Sequence, residues 1–147
     1  MKRLLLPIAF ATAAFAAPLA GSGAAPAAHA SSSAVHVALQ VGPSYKNKAG
    51  FANVNATATI SYTSTGATVS ITATQLPPPS AVKAVAYIVW VSGDKSARIG
   101  TLLRHGNQFS IVANVNLTNV TGIKVTAEHS AMSKSGNGPT VLSGSVG

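Results

Sequence analysis

The sequence predicts an all-β fold, an antiparallel immunoglobulin-like β-sandwich of seven to eight strands. Three observations carry this expectation. Apolar and polar residues alternate with period two in one short segment after another, with turn residues between the segments. No stretch beyond residue 30 sustains the apolar period of a helix of ordinary length. Pro77, Pro78 and Pro79 are followed by an apolar run, residues 84–91, that holds Tyr87 and Trp90 in YxxW spacing.

Residues 1–30 combine a basic start (Lys2, Arg3), an apolar alanine-rich stretch and Ala28-His29-Ala30, the small-x-small pattern of a signal-peptidase site. They read as a secretory signal peptide cleaved near Ala30. Residues 4–20 approach the minimum length of a membrane-spanning helix, roughly 17 residues. Pro7, Pro18, Gly21, Gly23 and Pro26, with alanine in place of leucine, weaken that alternative. With no cysteine there is no lipid attachment site and no disulfide, so the remaining domain, residues 31–147, must be held by packing and backbone hydrogen bonds. The expected location is periplasmic or extracellular, with no transmembrane span in the mature chain.

The first strand places Val35, Val37, Leu39 and Val41 on one face against His36, Ala38 and Gln40. Gly42-Pro43-Ser44 ends it, and residues 45–52 read as a connecting loop. Val54, Ala56, Ala58, Ile60 and Tyr62 then alternate with Asn55, Thr57, Thr59, Ser61 and Thr63. After Ser64-Thr65-Gly66 the pattern resumes at Ala67, Val69, Ile71 and Ala73, which makes an antiparallel hairpin with one apolar and one threonine-rich face. The prolines cannot donate to a ladder, so the strand stops and the chain crosses over.

Residues 84–91 are apolar at both parities, the mark of a strand covered on both faces. Tyr87 and Trp90 lie on opposite parities and point to opposite faces. The expectation is Trp90 in the core and Tyr87 available for contact. A polar turn, Ser92-Gly93-Asp94-Lys95, leads to a strand over 97–103, and Gly106-Asn107 to another over 109–117. A strand at 123–127, a glycine- and serine-rich loop at 130–139 and a short strand at 140–142 complete the chain.

Beyond residue 30, eight basic residues face only Asp94 and Glu128, a formal charge of +6. Lys46, Lys48, Lys83, Lys95, Arg98, Arg104, Lys124 and Lys134 never form a run, and no aromatic residues interleave with them, so nucleic acid is not an expected partner. The two acids do not suggest paired-carboxylate hydrolysis: Asp94 suits its turn, and Glu128, on the polar parity with Lys124, reads as a surface charge. No GxSxG occurs. His36, His105 and His129 sit where solvated imidazoles are expected, and Glu128 and His129, being adjacent on a strand, cannot share one ion. No cofactor, metal or catalytic residue is expected. The sequons at Asn55, Asn116 and Asn119 read as ordinary strand and turn residues.

Several pieces together resemble the C-terminal extracytoplasmic domain of the anti-sigma-K factor family: Leu76-Pro77-Pro78, Tyr87-Ile88-Val89-Trp90-Val91, Ile99-Gly100-Thr101, Val125-Thr126-Ala127-Glu128 and Gly138-Pro139-Thr140. The resemblance covers about residues 56–143. Family members carry a zinc-binding, sigma-sequestering segment and a membrane helix ahead of this domain, where this chain has an export signal. The resemblance therefore implies a free-standing sensory or interaction half and a bacterial source. The expected function is a non-enzymatic interaction or sensing module of the cell envelope, monomeric, whose partner is an envelope protein or an anionic envelope polymer. The alternative is a structural, adhesin-like subunit associating through strand edges. The candidate contact residues are Tyr87, Arg98 and Arg104, the last two sharing a parity, and Lys134 in the late loop.

Overall fold

The computed structural model describes residues 33–147; the expected signal peptide lies outside them. Nine strands form: β1 Val35–Val41, β2 Asn55–Thr63, β3 Gly66–Thr74, β4 Ala86–Gly93, β5 Ser96–Thr101, β6 Leu103–His105, β7 Gln108–Val115, β8 Val120–Glu128 and β9 Thr140–Ser145. All pair antiparallel, in the order β5-β4-β8-β9-β1-β2-β3-β7-β6. None of the described helices is long and apolar enough to cross a membrane.

Strand β1 belongs to two layers. Val35 to Leu39 pair with β2, whereas Gln40 and Val41 pair with β9. The opposite corner is made by Leu102, the one residue between the end strands β5 and β6. Its N–H donates to Tyr87 O at 2.9 Å, and its side chain is buried. The sheet thereby almost closes on itself as a flattened barrel, which removes most of its free edge. The strand count is nine rather than seven to eight because the single strand expected over 97–103 breaks at this corner. Gly100, at φ 146°, and a bulge in β5 that leaves Ile99 unpaired opposite Val89 and Trp90 provide the bend.

The inner rows follow the register. Val37, Ala58, Ile71 and Ile111 align across one layer, as do Leu39, Ala56, Ala73 and Phe109. Small and large side chains share each row, so the layer can interdigitate with Tyr87, Val89, Val91, Ile123, Val125 and Leu142 from the other. Threonines and serines of β2 and β3 occupy the outer face, where Thr68 donates to Asn114 Oδ1 at 2.7 Å.

Residues 45–52 do more than connect. Tyr45 and Phe51 are buried in the core with ring centroids 5.0 Å apart, and Lys48 Nζ lies 5.0 Å from the Tyr45 ring. The loop stoppers one end of the barrel. The prolines end β3, and a 3-10 turn at Pro79–Val82 carries the chain across to β4.

Candidate functional site

Strand β4 is covered on both faces, and the two covers differ. Toward the core, Tyr87 is fully buried, packs edge-to-face on Phe109 at 5.7 Å and donates its hydroxyl to Pro77 O at 2.8 Å. Toward the outside lie Ala86, Ile88 and Trp90, in register with Glu128, Thr126 and Lys124 of β8. The expected roles of the aromatic pair are therefore reversed. Tyr87 is a core residue and Trp90 is half-buried at the surface. Nothing in the apolar run distinguishes the faces, because the cover on Trp90's side comes from the remote segment 129–139.

Four hydrogen bonds from or to side chains hold that segment against the outer face. Arg98 Nη2 donates to Ala131 O at 2.7 Å, and Lys124 Nζ to Gly136 O at 3.3 Å. Glu128 Oε2 accepts from Ser133 Oγ at 3.1 Å, and its Oε1 accepts from Gly138 N at 3.0 Å. The Trp90 indole N–H donates to Thr126 Oγ1 at 2.9 Å, and that hydroxyl donates on to Glu128 Oε1 at 2.6 Å. The indole only donates, the Thr126 hydroxyl both accepts and donates, and the carboxylate only accepts, which is what each group's chemistry allows. Among the described residues no buried side-chain polar atom lacks a partner.

Glu128 is thus no surface charge. It is 7% exposed and serves as the knot of the loop. Burial pushes its pKa up, but hydrogen bonds from Thr126, Gly138 and Ser133, with the charge of His129, outweigh burial and hold it below the usual carboxylate range.

Between the loop and the sheet runs an open groove of about 370 Å³, lined by Trp90, Arg98, Lys124, Lys134 and the serines 92, 96 and 135. The register places Arg98, Trp90 and Lys124 in one row across β5, β4 and β8. A flat ring therefore sits between two cations whose backbones stand about 10 Å apart, two strand spacings. Neither Asp94 nor Glu128 lines the groove.

Of the candidate contact residues, the structure brings Arg98 and Lys134 together here. Tyr87 is in the core. Arg104 is elsewhere: it pairs in register with Phe109, and its Nε donates to Gly106 O at 2.9 Å in the β6–β7 turn. The shared parity of Arg98 and Arg104 is broken by the corner at Leu102. Lys124, Trp90 and the knot at Glu128 escaped the sequence reading. The available signal was a lone acid beside apolar Val125 and Ala127, followed by a glycine-rich segment with Gly136 and Gly138.

Gly136, at φ 43°, lies against the Trp90 ring; a Cβ there would come within 2.7 Å of the indole. The Gly136→Ala variant is expected to lose about 1–3 kcal/mol through left-handed strain and the clash. A shift in tryptophan emission with a lowered thermal midpoint checks this, since Trp90 is the single tryptophan.

Several sequence pieces meet in space. Pro77 accepts from Tyr87, Glu128 accepts from Gly138, and Ala127 N donates to Pro139 O at 3.0 Å. Compared with known proteins, the chain matches no family model, no curated protein and no solved structure.

Proposed function

We propose that this chain is an exported, non-enzymatic interaction module of the bacterial cell envelope that holds an anionic partner in the Trp90 groove. The observation that carries this reading is the row Arg98–Trp90–Lys124, extended by Lys134 from the loop, in a groove without an acidic residue. The formal excess of cations and the leader-like residues 1–30 support it. The likeness to an anti-sigma-K extracytoplasmic domain belongs to the same proposal. So does the immunoglobulin-like description, in the loose sense of two facing antiparallel layers.

Cosedimentation of purified residues 31–147 with envelope fragments tests the reading. The domain is expected in the pellet, and the Lys124→Gln/Lys134→Gln double variant in the supernatant, folded and with a thermal midpoint lowered by no more than loss of the one exposed Lys124–Gly136 hydrogen bond explains. Equal pelleting of both forms would remove the groove from the contact.

The alternative, a structural subunit joined through strand edges, draws on Leu103 and Val112, 59% and 70% exposed. Leu103 lies on the three-residue strand β6 at the end of the sheet order. A single monomer mass at high concentration in sedimentation equilibrium would set this alternative aside.

A further inference from the structure

We propose that the occupant of the Trp90 groove is an acidic polysaccharide, a chain of pyranose rings bearing carboxylates; this rests on the reading that the groove is the module's contact surface. The first argument is the alternation of chemistry along the row. Gly136 lies against one side of the half-buried indole, and what stays exposed of the ring stands between two cations, an apolar surface flanked by charge that matches a polymer alternating ring faces with carboxylates. Neither cation stacks on the indole; the cation–π contact found among the described residues is Lys48 on Tyr45.

The second argument is that the donors do not converge. Arg98 is anchored to Ala131 O and Lys124 to Gly136 O, at separate points of the loop. The positive charges are thereby spread along an open groove instead of being gathered around one point, as a small anion requires. The serines that line it add short hydroxyls suited to hydrogen bonding with sugar hydroxyls.

Other polymers fit less well. A nucleic-acid strand needs successive aromatic platforms, and the groove holds one. A lipid surface needs an apolar cluster, and the groove is lined mainly by serines and cations.

Calorimetric titration with polygalacturonate tests the proposal, with a neutral glucan and inorganic phosphate as comparison probes. Polygalacturonate is expected to bind with an affinity that falls with salt, while the neutral glucan gives no heat. Lys124→Gln/Lys134→Gln and Trp90→Phe are each expected to weaken binding about tenfold or more, whereas Arg104→Gln, outside the groove, leaves it unchanged. Full competition by phosphate at equal charge would overturn the polymer in favour of a small-anion site. An equal loss in Arg104→Gln would reduce the effect to diffuse charge and overturn it too. If polygalacturonate fails to bind while groove-dependent pelleting with envelope fragments persists, the glycan assignment falls and the interaction module stands.

Discussion

Replacing Tyr87 with alanine is expected to cost about 3–5 kcal/mol, enough to unfold much of the population of a domain of ordinary stability. The phenol is fully buried, its ring meets Phe109 edge-on, and its hydroxyl reaches back to Pro77 O. Removal opens a cavity beside the Leu102 corner and releases the crossover from β4. Tyr87→Phe keeps the ring and leaves only the Pro77 carbonyl without its donor, for about 1–2 kcal/mol. Urea midpoints measure both. A loss for alanine no greater than that for phenylalanine would refute the packing argument.

The same phenol predicts an alkaline limit. Burial, and secondarily the proximity of Tyr45, raise its pKa well above the ordinary value of about 10. The unfolded chain therefore ionises first as pH rises. Stability from the neutral phenol is full below about pH 10 and declines above it. Tyr87→Phe is expected to flatten that decline.

Glu128→Ala is the second large effect, about 2–4 kcal/mol. It strands the hydroxyls of Thr126 and Ser133 and the N–H of Gly138 at once. The loop 129–139 loses its knot, so the groove should lose its second wall and its affinity together. Glu128→Gln retains an acceptor oxygen and is expected to cost less. The acid limb follows from the lowered pKa: the unfolded carboxylate takes up a proton before the folded one. Its contribution is present above the unfolded value near 4.3 and is lost as pH falls through the folded value. Thermal midpoints between about pH 2 and 7 should show this limb in the parent and not in Glu128→Gln; parallel curves would sink the assignment.

Much of the ladder was legible because alternation is a local property. The partners of β1, β2 and β3 follow from Val37, Ala58 and Ile71 lying on matching parities, with the tight turn at Ser64 and Thr65 and Gly66 opening β3 opposite Thr63. The crossover was legible too, since a proline cannot donate wherever it lies. The ninth strand was not. Residues 97–103 keep a plausible period straight through Leu102, and the break exists because the N–H of Leu102 is drawn to Tyr87 O, across the barrel corner. Tyr45 and Phe51 sit in a stretch without any period, so their burial depends on the open end of the barrel that they fill.

The candidate site divides in the same way. Arg98 and Lys134 were recognisable as exposed cations, a property of residue type and position. That they share a groove with Trp90 and Lys124 depends on the register of β5, β4 and β8 and on a loop that returns from a distant part of the chain.

Chain-local chemistry, meaning period two, turn residues, prolines and the scarcity of acids, set the all-β antiparallel class and argued against familiar catalytic pairings. Tertiary structure decided which face of β4 is interior. An apolar strand satisfies both faces equally until something covers them, and the cover on the Trp90 side is fixed by Glu128, 38 positions further along. The same distant contact turned an apparent surface acid into the anchor of the groove, because a carboxylate can remain charged when buried only where enough donors converge on it.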